Sequence, residues 1–401
     1  MKRRVLFVDD EPRVLQGLQR LLHPMRSEWD MRFVSGGQEA LALLEEEPFD
    51  VVVTDMRMPG MDGAELLERV RQRQPQTVRI VLSGYSDRET VLRSVGTAHQ
   101  YLAKPCDSDL LRRVISRACG LRQYLAQERL VKLVAQMTTL PSLPALYQRV
   151  LAEVQAPNAS IRTVGQLVAQ DVGMTAKVLQ LVNSAYFGLQ RAIADPVEAT
   201  VYLGLDTVRA LVLAAGVFAQ LEQRQIECGH VEELWQHSLC ACGLARLLAR
   251  HWGADARTTD ETIMAGMLHD AGKLVLATNF PNEYGRARIL AQQRGVIMQQ
   301  AEEAVFGAGH AEVGAYLMGL WGLPDPVVEA MAYHHAPHRC ESLQRGPLAA
   351  VHIADAVAHS IEPNSSGLPQ PTLEADYLNA LGLPNALDHW HTLCASAQER
   401  G

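Results

Sequence analysis

The sequence lacks any apolar run long enough to cross a bilayer. Its longest uncharged apolar stretch, residues 210–219, falls well short of the roughly 20 residues that a spanning helix needs. The chain begins Met1-Lys2-Arg3-Arg4-Val5-Leu6-Phe7-Val8-Asp9, so its first apolar run stops after four residues. That is too short for the apolar region of a signal peptide, and no cleavage site follows. The seven cysteines are odd in number and include no CxxC pair, and Cys240-Ala241-Cys242 matches no familiar zinc spacing. They read as reduced thiols of a cytoplasmic protein. No basic run or DNA-reading motif stands out, and the net charge is -8. Neither nucleic acid nor membrane is therefore an expected partner.

What is present is a chain of 401 residues, long enough for two or three domains, with an ordinary apolar fraction of 48%. Up to about residue 120 one unit repeats: a short apolar run, a turn, then an amphipathic helix. The runs are Val5-Leu6-Phe7-Val8, Met31-Arg32-Phe33-Val34, Val51-Val52-Val53, Val78-Arg79-Ile80-Val81-Leu82 and Tyr101-Leu102-Ala103. Helical patterns such as Val14, Leu15, Leu18, Leu21 and Leu22 lie between them. Strands alternating with helices predict a doubly wound α/β sandwich on a five-stranded parallel sheet, with its ligand site at the carboxyl ends of the strands. Ser86-Asp87-Arg88-Glu89 has capping-box spacing and is expected to start the fourth helix.

The chemistry gathers at those strand ends. Asp9 and Asp10 follow the first strand, Asp55 the third, Ser83 ends the fourth and Lys104 the fifth. Three carboxylates in one cleft repel unless a cation joins them, and a hard divalent ion such as Mg²⁺ suits an all-oxygen set. A lysine and a hydroxyl on the same rim complete a site for phosphoryl transfer to a carboxylate, with Asp55 the nucleophile. Pro105, after Lys104, fits a tight turn that admits a cis bond.

These residues resemble a response-regulator receiver domain. The matching pieces are Val8-Asp9-Asp10, Thr54-Asp55-Met56-Arg57-Met58-Pro59-Gly60-Met61-Asp62-Gly63, Leu82-Ser83-Gly84 and Lys104-Pro105. The resemblance implies a flavodoxin-like fold and phosphorylation of Asp55 by a histidine kinase. It implies Mg²⁺ held by Asp9, Asp10, Asp55 and the backbone carbonyl of Arg57. Ser83 and Tyr101 match the switch positions, and Lys104 the contact to the phosphoryl group.

From residue 107 to 137 the chain reads as helix. Its stripe of Leu111, Val114, Ala118, Leu121 and Leu125 continues at Leu133, Val134 and Met137. One reading is the last helix of the first domain running into a linker; the other is the seam of a homodimer. Leu140-Pro141-Ser142-Leu143-Pro144 punctuates the chain, and helical periodicity without a strand pattern follows to about His359. The segment 362–371 reads as a loop before a short helical tail.

Ten of the fourteen histidines lie between His230 and His359. In Met267-Leu268-His269-Asp270-Ala271-Gly272-Lys273 an adjacent His and Asp on an apolar helix both point inward only when something binds them. With His237, His310, the pair His334-His335 and Asp355 they form a donor set for a transition metal that activates water. The spacing resembles the HD superfamily of metal-dependent phosphohydrolases. That implies His237, His269, Asp270 and Asp355 as ligands of Mn, Fe, Ni or Zn, a phosphate contact at Lys273, and His310, His334 and His335 as a binuclear extension. The branch that cleaves cyclic di-GMP carries Gly-Tyr-Pro after its paired histidines, whereas Ala336-Pro337-His338 stands here.

A better match over roughly 138–340 is the HDOD domain, a relative usually treated as a signalling output. Its pieces are Leu140-Pro141-Ser142-Leu143-Pro144, residues 161–171, residues 182–188 and Ala199-Thr200-Val201-Tyr202-Leu203-Gly204. Asp171, Lys177 and Asn183 in its first half read as capping or packing residues. The organisation expected is a receiver at 1–120, a helical linker at 121–137, an all-α HDOD output at 138–361 and a loop and tail at 362–401. Two functions follow: a response regulator whose output domain binds a protein partner, or a phosphorylation-controlled metal-dependent phosphohydrolase.

Overall fold

The computed structural model describes residues 2–84, 97–120, 128–137, 141–142, 144–156, 158–184, 187, 189, 191–213, 219–220, 228–361, 367–384 and 387–398. Its N-terminal part has strands β1 (Arg3–Val8), β2 (Trp29–Val34), β3 (Val51–Thr54), β4 (Val78–Gly84) and β5 (Gln100–Lys104). They form one parallel sheet in the order β2-β1-β3-β4-β5. Helices α1 (Pro12–Leu21), α2 (Gly37–Glu46), α3 (Gly63–Arg73) and α4 (Ser108–Gly120) cross over it. Residues 5–8 and 51–54 are buried without alternation, as parallel strands covered on both faces must be. Each fully buried Leu or Val there contributes about 1.5–3 kcal/mol. The fourth-helix start expected at 86–89 lies outside the described residues.

Helix α5 (Glu128–Gln136) follows. Then come β6 (Pro141–Ser142), α6 (Pro144–Gln155), α7 (Ile161–Val168), α8 (Val172–Val182), α9 (Pro196–Leu203), α10 (Leu205–Leu213) and β7 (Ala219–Gln220). The second half continues with α11 (Cys228–His251), α12 (Ala256–Leu268), α13 (Ala271–Asn279), α14 (Pro281–Arg294), α15 (Met298–Phe306), α16 (His310–Leu320) and α17 (Asp325–Tyr333). It closes with α18 (Pro347–Ile361), α19 (Ala375–Ala380) and α20 (Leu387–Gln398). The core of this helical part lies where α11, α12, α17 and α18 pack together.

Two features differ from the sequence pattern. Residues Pro141–Ser142 pair in parallel with Ala219–Gln220, a bridge too short to leave a period in the sequence. Part of the stripe expected at a linker or a homodimer seam packs within the chain, while Val114, Leu133 and Met137 are half-buried. Leu111, Ala118, Val134 and Ala135 are buried, and both α4 and α5 pack on α16. Leu121 and Leu125 lie outside the described residues. Asp171 caps α8 by accepting from the Met174 N–H at 2.8 Å, and Asn183 bonds the backbone of Ile193 in both directions. Both act locally, as their surroundings in the sequence suggest. Lys177 is buried with its ammonium 5.3 Å from the centre of the Trp321 ring.

Candidate functional site

The receiver-like site forms at the edge where β1, β3, β4 and β5 end, with β4 between β3 and β5. Asp9 and Asp55 are almost fully buried, and the Lys104 ammonium lies between them. Its Nζ stands 2.6 Å from Asp9 Oδ2 and contacts Asp55 Oδ1. The other Asp55 oxygen, Oδ2, accepts from the Arg57 N–H at 2.6 Å, which fixes the carboxylate plane. Burial pushes the Asp55 carboxyl above its ordinary range, against the pull of Lys104 and the Arg57 N–H. Burial also opposes charge on Lys104, but its bonds to Asp55 and Asp9 prevail and raise its pKa. Gly63, which opens α3, packs so closely on this loop that a Cβ would collide with the Asp55 carbonyl oxygen. Asp10 is half-buried, Ser83 is fully buried on β4, and Tyr101 is 1% exposed on β5. The Lys104–Pro105 bond is cis.

The second site is assembled from five helices, and three of its imidazoles share one orienting device. His269 Nδ1 donates to the Gly266 carbonyl at 2.8 Å, and His334 Nδ1 to the Met331 carbonyl at 2.7 Å. His310 Nδ1 is 2.6 Å from Glu302 Oε2. Each bond spends the ring N–H on the protein and aims Nε2 inward, the tautomer that second-shell acceptors select in metal sites. The inward nitrogens meet acceptors. His269 Nε2 faces Asp270 Oδ2 and Asp355 Oδ1 at 3.6 Å each, and His310 Nε2 faces His335 Nε2 and Asp270 Oδ1 at 3.1 Å each. His237 Nε2 is 3.1 Å from Asp355 Oδ1.

Among the described residues, two ligand groups result, each with its atoms within 4.8 Å of one another. One is Asp270, His310, His334 and His335; the other is His237, His269 and Asp355. His269 Nε2, Asp270 Oδ1, His334 Nε2 and His335 Nδ1 are buried without a hydrogen-bond partner. Buried acceptors left unpaired cost about 1–3 kcal/mol each, and one cation would satisfy several at once.

The electrostatics of the cluster favour ionised carboxylates beside neutral imidazoles. Burial opposes ionisation of Asp270 and Asp355, yet the surrounding Lys273 and imidazoles hold both carboxyls well below their usual range. Burial, reinforced by the neighbouring imidazole, lowers His334 to about 3 and pushes His335 well below its normal value, so both rings are neutral at pH 7. His310 is the exception: burial opposes its charge, but Glu302 and Asp270 raise it to about 9. Lys273 Nζ bonds Asp270 Oδ2 at 2.6 Å. Gly272 lets α13 pack directly on α16, because a Cβ there would overlap the His310 carbonyl oxygen.

The structure thus brings together the seven residues that the sequence offered as a metal donor set, with Lys273 bonded to one of them. Two participants were not foreseen: Glu302, buried behind His310, and His359, whose Nδ1 is 2.9 Å from Asp355 Oδ1. By contrast His352 is fully engaged, donating to the His334 carbonyl and accepting from the Glu374 N–H. It is a framework residue.

Comparison with known proteins finds the response regulator receiver domain at residues 5–116 and the HDOD domain at 140–337. Asp355 therefore lies beyond the HDOD match. An uncharacterized protein of Treponema pallidum is 29% identical over 57% of this chain and 45% of its own length. The hydrogenase transcriptional regulatory protein HoxA of Cupriavidus necator is 45% identical over 27% of this chain and 22% of its own. The chain thus spans less than half the length of these curated relatives. Among solved structures, the receiver domain of an HD domain-containing protein from Pseudomonas fluorescens is 31% identical. It covers 31% of this chain and 98% of its own, with a TM-score of 0.29. The MmoQ response regulator from Methylococcus capsulatus is 22% identical over 64% of this chain and 98% of its own, with a TM-score of 0.45.

Proposed function

We propose that this chain, which joins a response regulator receiver domain to an HDOD domain, works as a response regulator in which phosphorylation of Asp55 by a histidine kinase sets the state of the helical output. One observation carries the reading: the Asp55 carboxylate is oriented by the Arg57 N–H while Lys104 stands ready beside it. In the transfer, an Asp55 oxygen forms the new P–O bond as the P–N bond of the phosphohistidine breaks, and the electron pair returns to the kinase imidazole. Lys104 stabilises charge on the phosphoryl oxygens. The oxygen-rich donor set of Asp9, Asp10, Asp55 and the Arg57 carbonyl suits Mg²⁺, which supplies further neutralisation when bound. Acetyl phosphate with Mg²⁺ is expected to label the wild type and not Asp55→Asn. Equal labelling of both would end the proposal.

A second reading concerns what the output does. The imidazole lone pairs facing carboxylate oxygens support a two-cation centre held by His237, His269 and Asp355 on one side and by Asp270, His310, His334 and His335 on the other. Transition-metal ions there would supply a water of lowered pKa for phosphoester hydrolysis. Lys273, bonded to Asp270, would be the cation for a substrate phosphate, while Glu302 and the Gly266 and Met331 carbonyls keep the ligand rings oriented. The test is a panel of phosphodiesters and nucleotides offered to Mn²⁺-loaded protein. Turnover that is lost in His269→Ala supports hydrolysis, and no turnover on the panel leaves the output a binding module for a protein partner in the cytoplasm.

A further inference from the structure

The two sites are joined by continuous secondary structure. Strand β5 begins at Gln100 and ends at Lys104, the ammonium beside Asp55. At its first residue the Gln100 amide donates to the Leu320 carbonyl of α16 at 3.0 Å. From α4, Arg117 donates to the Leu323 carbonyl and pairs with Asp325 Oδ1 at 2.8 Å. Leu320 ends α16, Leu323 lies in the turn and Asp325 starts α17, so the receiver domain supplies donors to a helix-end carbonyl and to a carbonyl of the turn. Gly322, in the left-handed region at φ +81°, makes the turn, and its Cα lies against the Gln100 side chain.

The opposite ends of the same two helices carry the imidazole cluster. His310 opens α16, and His334 and His335 directly follow α17. Strand β5 spans about 13 Å and α16 about 15 Å, so two short rigid elements cover the path from Asp55 to His310. Beside the joint, Tyr101, Gln180, Asn183 and Trp321 line a cavity of about 360 Å³. That space lets the joint adopt a second arrangement without first opening the core.

We infer that the α16–α17 hairpin couples the phosphorylation state of Asp55 to cation binding at the imidazole cluster, with Gln100 and Arg117 as the receiver's grip on its turn. The inference rests on the two-cation reading of that cluster. Any movement of the turn relative to the rest of the helical domain displaces His310, His334 and His335 against Asp270, whereas His237 and His269 sit on helices that Gln100 and Arg117 do not touch.

The test uses the full-length chain with excess Mg²⁺ to fill the receiver, titrated with Co²⁺ and followed by visible absorption, with and without beryllofluoride. The expected result is a change in the Co²⁺ dissociation constant of about fivefold or more, matched by the same factor in beryllofluoride affinity when Co²⁺ is saturating. The Gln100→Ala/Arg117→Ala double variant should bind both ligands with that factor returned to one. Asp325→Ala, whose side chain is 73% exposed, breaks the same contact if the double variant does not fold. A wild-type factor of one overturns the coupling and leaves the metal centre standing. A factor that survives in both variants overturns the assigned route. Absence of Co²⁺ bands removes the two-cation reading and this inference with it.

Discussion

Both sites of this protein bury carboxylates, but they balance the charge differently. In the receiver domain a lysine of the chain itself stands between Asp9 and Asp55 and offsets one of their two charges. In the helical domain Lys273 bonds Asp270, while the inward nitrogens His269 Nε2, His334 Nε2 and His335 Nδ1 are left without a hydrogen-bond partner. The first arrangement is that of a site which receives a group and releases it. The second gathers donors that a cation would satisfy together, and His310, whose charge burial opposes but Glu302 and Asp270 favour, is raised to about 9.

The comparison breaks most readily at its two ends. Asp55→Asn removes the nucleophile, and phosphoryl labelling should fall to background, while metal content of the helical domain stays as in the wild type. Next in size is Glu302→Gln, which keeps the shape but weakens the hold on the His310 N–H. Loss of such a second-shell partner lowers metal affinity by about 10–100-fold, readable by competition with a chromophoric chelator. Unchanged affinity would make Glu302 a packing residue only. Gly272→Ala forces a methyl group against the His310 carbonyl, and overpacking of this kind costs about 1–3 kcal/mol in denaturant unfolding. The matching substitution at Gly17, where a Cβ meets nothing within 4 Å, should be close to neutral.

The smallest effect concerns pH. His99 is buried, its Nδ1 accepts from the Arg79 N–H and its Nε2 lies 2.8 Å from the Ala135 carbonyl. Burial first, then Arg79, holds its pKa well below 6.5. The unfolded chain therefore binds more protons than the folded one below pH 6.5, so stability is full above that value and is lost as pH falls. The loss is at most about 1.4 kcal/mol per pH unit from this group. His99→Gln should flatten that part of the profile, and an unchanged slope would assign it elsewhere.

The receiver site was legible because parallel topology sends strand ends to one edge, so that Asp9, Asp55 and Lys104 converge once the strands are recognised. The imidazole cluster was legible through residue type, since His269-Asp270 on an apolar helix has no ordinary use. Glu302 was not, because Glu302-Glu303 reads as a solvated helix face and only the packing of α15 behind His310 decides which of the two turns inward. The stripe on α4 and α5 announced an apolar partner without identifying it. Nothing local to residues 107–137 encodes that α16, some 200 residues later, is what covers it.

The central claim is that the helical domain holds metal. Elemental analysis of the purified full-length protein beside His269→Ala tests it directly. Up to two equivalents of Mn, Fe, Ni or Zn per chain are expected in the wild type and at least one fewer in the variant. Metal-free wild-type protein that also takes up none of these ions on dialysis would contradict it.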